Sequence, residues 1–150
     1  CSSIGPGVVT ARALLDFPIF RVDEAMAGKA VTSGRRIGVA ATLRTTLEPT
    51  VALLEETAAQ MNADIEVLPR LCEGAFEAVL SGNAEKHDLL VKGMLQEVIN
   101  DVDVVVLAQA SMARVVSSLN QDRTPILSSP ELAVLQARDV LLSQSGHFAH

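Results

Sequence analysis

The sequence predicts an α/β fold, a parallel four-stranded sheet flanked by helices with strand order 2-1-3-4. Three observations carry this. Short apolar runs alternate with amphipathic helical patterns, the mark of βαβ units with right-handed crossovers. Val104-Val-Val-Leu107 is continuously apolar and β-branched, as a strand buried on both faces requires. Asp64-Ile-Glu-Val-Leu68 instead alternates polar and apolar, which places it at a sheet edge with one wet face.

Taken in order, Cys1-Ser2-Ser3-Ile4-Gly5-Pro6 reads as a loop entering a helix. Pro6 suits a first helical turn, and Val8, Val9, Ala11, Leu14 and Leu15 supply an apolar side. Phe17-Pro-Ile-Phe-Arg-Val22 reads as a short strand. Asp23 is placed to cap a helix with Met26, Ala27, Ala30 and Val31 inward, closed by Gly34. The next unit organises the chain. An apolar run from Arg36 breaks into a threonine-rich turn and resumes as a helix with Leu47, Val51, Leu54, Ala58 and Met61 on one face. Thr45 and Glu48 have capping-box spacing, while Pro49 favours a helix start one to three residues later.

Beyond the edge strand, Gly74–Leu80 is a short helix or turn ending near Gly82. A longer helix from about Glu85 to Asn100 puts Leu90, Val91, Met94, Leu95, Val98 and Ile99 on one side. Gln109-Ala-Ser-Met112 turns into a helix carrying Met112, Val115, Val116 and Leu119. Pro125-Ile-Leu127 is the last strand, and Ser129-Pro130 opens a final helix with Leu132, Leu135 and Leu142 on one side. Residues 36 to about 129 thus make one doubly wound unit. Residues 1–34 and the final helix read as the end of another α/β unit.

Composition narrows the function classes. The 150 residues suffice for one domain with a real core, and hydrophobic residues are 49 % of them. Aromatics are only 3 %, with no Trp or Tyr, so that core is aliphatic. No apolar run reaches membrane-span length, and no basic patch with aromatics points to nucleic acid. The net charge of −6 is dispersed. Two cysteines are too few for a disulfide framework, so a reducing cytoplasm is the expected location.

Candidate chemistry gathers at loops that follow strands, where ligands sit in open sheets. Thr42, Thr45 and Thr46 offer hydroxyls beside the N–H groups of a helix start, which suits a small carboxylate; capping is the alternative use of each. Ala108-Gln109-Ala110-Ser111-Met112 has small residues that let a ligand reach the backbone, or let helix and strand pack closely. Cys1 precedes a helix N-terminus, which favours the thiolate. Cys72 has no cationic neighbour in sequence and reads as an inert buried thiol. His87 reads as a solvent-side or capping residue, and His147 and His150 fall in the tail. No metal-ligand spacing or glycine-rich phosphate loop occurs, so no cofactor and no metal are expected.

Three stretches together resemble the cofactor-independent aspartate/glutamate/hydantoin racemase superfamily, which includes arylmalonate decarboxylase and maleate isomerase. They are Cys1-Ser-Ser-Ile-Gly, Ile37-Gly-Val-Ala-Ala-Thr-Leu-Arg-Thr-Thr, and Val106-Leu-Ala-Gln-Ala-Ser-Met112. The resemblance spans nearly the whole chain. It implies two similar α/β lobes with the site between them, residues 1–34 ending the first lobe and 35–129 forming the second. Residues 130–150 would pack back on the first lobe, and strands of that lobe would precede Cys1. It further implies a cysteine from each lobe exchanging the substrate's α-proton, with amides and hydroxyls holding the carboxylate.

Carried over, Cys1 matches the first-lobe cysteine, Ser2 and Ser3 its carboxylate-binding neighbours, and Thr42 and Thr45 the paired threonines after the second lobe's first strand. Gln109 stands where the second cysteine belongs, and an amide cannot exchange a proton at neutral pH, though it can orient a substrate. The implied activity is a racemase or isomerase acting on a small carboxylate through the Cys1 thiol. Alternatives are a single-cysteine decarboxylase or cis-trans isomerase, or a carboxylate-binding protein without turnover. The Gln109, Ala110 and Ser111 loop would line the site, and a homodimer is the expected assembly.

Overall fold

A computed structural model describes residues 4–119 and 123–145. Four parallel strands form one sheet: β1 (Arg36–Ala41), β2 (Glu66–Leu71), β3 (Val104–Leu107) and β4 (Ile126–Ser128). Their order is β2-β1-β3-β4, as the sequence predicts. Burial explains that order. Every residue of β3 and all but the first of β1 are buried, so these are the central strands. β2 is half wet and holds Pro69, which an edge strand tolerates because its amide owes no ladder bond on the open side.

In-register pairing of Ile37 with Val104 and of Val39 with Val106 sends alternate residues to opposite faces. On one face Ile37, Val39, Ala41, Val104 and Val106 meet α2 (Glu24–Ser33) and α3 (Arg44–Gln60), through Met26, Ala30, Leu47 and Leu54. On the other, Ala40, Val105 and Leu107 meet Val91, Leu95 and Val98 of α5 (Ala84–Val98), with Met112 and Val115 beside them. Gly38 permits this second contact. A Cβ there would lie 2.7 Å from Val98 Cγ1, closer than carbon atoms pack.

The remaining helices are α1 (Gly5–Leu14), α4 (Ala75–Leu80), α6 (Ala113–Val116) and α7 (Ser129–Ser145). α7 packs on α2 and inserts Leu132 among the core residues, whereas Leu135 and Leu142 on its expected inner side are exposed. α1 takes Pro6 into its first turn, and Val9, Leu14 and Leu15 stay exposed. It is tied to α2 by Arg12, whose guanidinium holds the Glu24 carboxylate at 2.7 Å. No helix among the described residues is long and apolar enough to cross a membrane.

Several local expectations change, among them the edge strand, which runs over Glu66–Leu71 rather than 64–68. Residues 17–22 form no strand; Pro18 removes a donor, and the Ile19 carbonyl accepts from Arg12 Nε instead of from a ladder. Asp23 occupies the position before α2, but its carboxylate grips Arg21 through bonds of 2.9 and 3.0 Å rather than capping the helix. Helix α3 starts at Arg44, with Leu43 at the cap position and no side-chain cap, so the Thr45–Glu48 box does not form and Pro49 lies inside the helix. The helix after β3 is shorter than its pattern suggests: a 3-10 turn over Ala110–Met112 precedes α6.

Candidate functional site

The site is built where the ladder runs past the strand ends. Beyond β1, β2 and β3 the chain continues the sheet with two more bonds, Cys72 N–H to the Ala41 carbonyl at 2.7 Å and Ala108 N–H to the Ala40 carbonyl at 2.9 Å. Thr42 and Gln109 thereby arrive side by side at the carboxyl edge of the two central strands, the place where open α/β sheets take ligands. Gln109 Oε1 accepts from the Thr42 amide at 2.7 Å and from Thr42 Oγ1 at 3.0 Å.

Two donors on one oxygen fix the amide's orientation, because the NH2 end could not accept them. Both hydrogen-bond donors of Thr42 are committed to Gln109. What the pair offers a ligand is therefore the NH2 of Gln109, a neutral donor of two hydrogens, together with the lone pairs of the Thr42 hydroxyl.

A cavity of about 230 Å³ opens beside this pair, lined by Thr42, Gln109, Ser111, His87 and Arg114, with an apolar wall that includes Phe76 and Val79. Two left-handed glycines turn the chain here: Gly82 (φ 73°), in the lining of this cavity, leads from α4 towards α5, and Gly74 (φ 76°), on the neighbouring hollow, leads from β2 into α4. Thr42 also lines a second, shallower hollow of about 450 Å³ with Leu43, Arg44, Thr45, Glu73 and Glu77. The threonine turn thus divides: Thr42 is buried between the hollows, Thr45 is exposed on the second, and the Thr46 carbonyl accepts from Thr50 Oγ1 inside α3. Ser111 faces the first cavity, while Ala110 is exposed at the start of the 3-10 turn. Cys1, Ser2 and Ser3 lie outside the described residues, as do His147 and His150.

His87 is not a solvent-side or capping residue. Asn83 caps α5, its side chain accepting from Lys86 N–H at 3.0 Å, and His87 points inward, 1 % exposed. Its Nδ1 lies 2.7 Å from Asp88 Oδ1, and Arg114 reaches the same oxygen through Nε at 3.0 Å and Nη2 at 2.8 Å. The guanidinium of Arg114, and after it the bond from His87, hold the Asp88 carboxyl below the usual carboxylate range. The spacing of His87, Val91, Leu95 and Val98 was the signal for its burial, since all four share one helical face. Arg114, 27 residues from His87, had no such signal; only the packing of α6 on α5 brings it there.

Cys72 is 4 % exposed and burial pushes its thiol pKa up, so it stays protonated and inert, as expected from its apolar setting. Among the described residues no group of three His, Cys, Asp or Glu side chains could hold a metal ion.

Residues 1–137 match the family model described as Asp/Glu/Hydantoin racemase. Among solved structures the chain is similar to the glutamate racemase isoform RacE1 from Bacillus anthracis, at 17 % identity and a TM-score of 0.71, covering 96 % of this chain and 56 % of that one. At that identity the likeness is one of fold, and this chain spans about half the length of that enzyme. No curated protein matches it. With its residues matched almost from end to end, the chain belongs to the Asp/Glu/hydantoin racemase family.

Proposed function

We propose that the protein is a racemase or isomerase that moves the α-proton of a small carboxylate without pyridoxal phosphate, with Cys1 as a proton-transfer thiol. The observation that carries this is the Thr42–Gln109 pair at the carboxyl edge of β1 and β3, in a chain of this family. In this reading the Gln109 NH2 and the Ser111 hydroxyl donate to the substrate carboxylate, and Thr42 holds Gln109 in place. Charge that develops on the carboxylate as the α-proton leaves is met by donors already oriented for it. Thr45, Ala110, Ser2 and Ser3 complete the binding surface, the last two beside Cys1.

The lobe arrangement belongs to the same proposal: residues 35–129 as the second lobe, 1–34 as the end of the first, and 130–150 packed back on it. The packing of α7 on α2 supports the pairing of those two segments, although α2 also packs on the β1 and β3 face of the sheet. A homodimer is the assembly this reading expects.

The test is α-proton exchange into heavy water by the full-length protein, followed by NMR with aspartate, glutamate, a 5-substituted hydantoin and phenylmalonate. The expected result is exchange with at least one of them, reduced about 100-fold or more in Cys1→Ala, the scale of a lost general acid–base. Exchange that survives Cys1→Ala undiminished removes the thiol from the mechanism. A second reading, binding without turnover, is favoured by Gln109 in place of a cysteine. It predicts a raised melting temperature with small diacids and no exchange at all.

A further inference from the structure

The lining of the cavity beside Gln109 comes from two sources. The strand-end loops supply the polar groups Thr42, Gln109 and Ser111, while α4 and the turn after it supply Phe76, Val79 and Gly82. The helical period of α4 explains which of its side chains arrive. Phe76 and Val79 are three residues apart and share a face, Ala75 and Ala78 are buried beneath it, and Glu77 lines the neighbouring hollow together with Glu73. The carboxylates of this segment are thereby kept off the cavity and its apolar side chains are put on it. Val79 is 47 % exposed and Phe76 half-buried, an apolar surface that the core does not use.

Charge in the lining is balanced. Among the described residues that line the cavity, Arg114 carries the one permanent charge, and Asp88 Oδ1 accepts from its Nε at 3.0 Å and from its Nη2 at 2.8 Å. An acidic side chain entering the cavity would meet the Asp88 charge beside that guanidinium. Laid against Phe76 and Val79, it would lose water without gaining a partner, which weakens binding. An alkyl or aryl group laid there gains affinity by leaving water. The volume of about 230 Å³ is below the roughly 300 Å³ at which pockets for drug-sized ligands begin. It suits a small acid with one such group.

We infer that this cavity selects carboxylates whose other substituent is neutral and apolar, alkyl or aryl, over those with an acidic side chain, and that Phe76 and Val79 make the selection. The inference rests on the reading of the Gln109–Ser111 edge as the place of the carboxylate, and within that reading it names the substrate class. A proton-transfer substrate of this site then resembles leucine or phenylglycine more than aspartate or glutamate.

Matched probes test this. Full-length wild type, Phe76→Ala and Val79→Lys are titrated by calorimetry with 4-methylpentanoate, phenylacetate and glutarate. Wild-type exchange of the α-proton into heavy water is measured for leucine, phenylglycine, aspartate and glutamate. The expected result is that both apolar acids bind wild type about tenfold or more tightly than glutarate, the scale on which apolar pockets separate small ligands. Phe76→Ala should weaken phenylacetate by about tenfold or more and leave glutarate little changed. Val79→Lys, at a half-exposed position, should shift the preference towards glutarate, which loss of a merely structural contact would not do. Should Phe76→Ala fold poorly by circular dichroism, Val79→Lys decides. Glutarate binding wild type as tightly as the apolar acids, or an unchanged preference in Val79→Lys, overturns the inference. Faster exchange with aspartate or glutamate than with leucine or phenylglycine also overturns it, and the racemase reading then stands. Exchange with none of the four, with the apolar preference intact, overturns the racemase reading and leaves the selection in place. No binding of any probe overturns both.

Discussion

Two hydrogens from Thr42 converge on a single oxygen of Gln109, and that detail decides what each residue can offer a ligand. From the sequence, Thr42 reads as a donor to the carboxylate and Gln109 as a gap in the proton relay. Once folded, their roles shift: the threonine spends its donors on the amide, and the amide turns its own donors outward. A comparable bond fixes the other end of β1, where Asp103 Oδ2 accepts from the amides of Arg36 at 2.8 Å and Arg35 at 2.9 Å. The Arg36 amide, and then the Arg35 amide, hold the Asp103 carboxyl below its ordinary value. The unfolded chain has no such bonds, so the stabilisation is full above about pH 4, the unfolded value, and fades as pH falls through the lower folded one. Asp103→Asn should therefore lower the melting temperature at neutral pH, with the gap from wild type closing as both are titrated towards about pH 2. A gap that widens in acid would contradict this origin.

At the scale of elements, legibility followed how local the signal was. The β3 run and the alternating edge strand were readable because burial on two faces and on one leave different periods in sequence. Residues 17–22 were misread because a short apolar run with no partner strand looks the same as one with a partner. The start of α3 is not fixed by sequence because Thr45, Glu48 and Pro49 point to competing starts; the helix begins at Arg44, ahead of both. Gly38 records a constraint between elements that no local pattern reveals, the approach of α5 to β1. Gly38→Val should cost about 1–3 kcal/mol or more, as overpacking of a filled core does. Urea unfolding measures it, and an unchanged midpoint would mean that α5 can lift off the sheet freely.

Across the whole molecule, the site is a product of topology. Strand order 2-1-3-4 sets β1 beside β3, so loops 67 residues apart in sequence meet at their carboxyl ends. Thr42, Gln109 and Ser111 were legible because strand-end loops are where such sheets take ligands. His87 and Arg114 were not, because their place in the cavity depends on how α5 and α6 pack on the far face of the sheet. The central claim is that a small carboxylate is held at this edge by Gln109 and Ser111. The most direct test is NMR of the ¹⁵N-labelled full-length protein titrated with aspartate, glutamate and malonate. A saturable shift of the Gln109 side-chain NH2 and the Ser111 amide, removed by Gln109→Leu, is the predicted result. Saturable shifts confined to other parts of the protein, with the Gln109 NH2 unmoved, would contradict it.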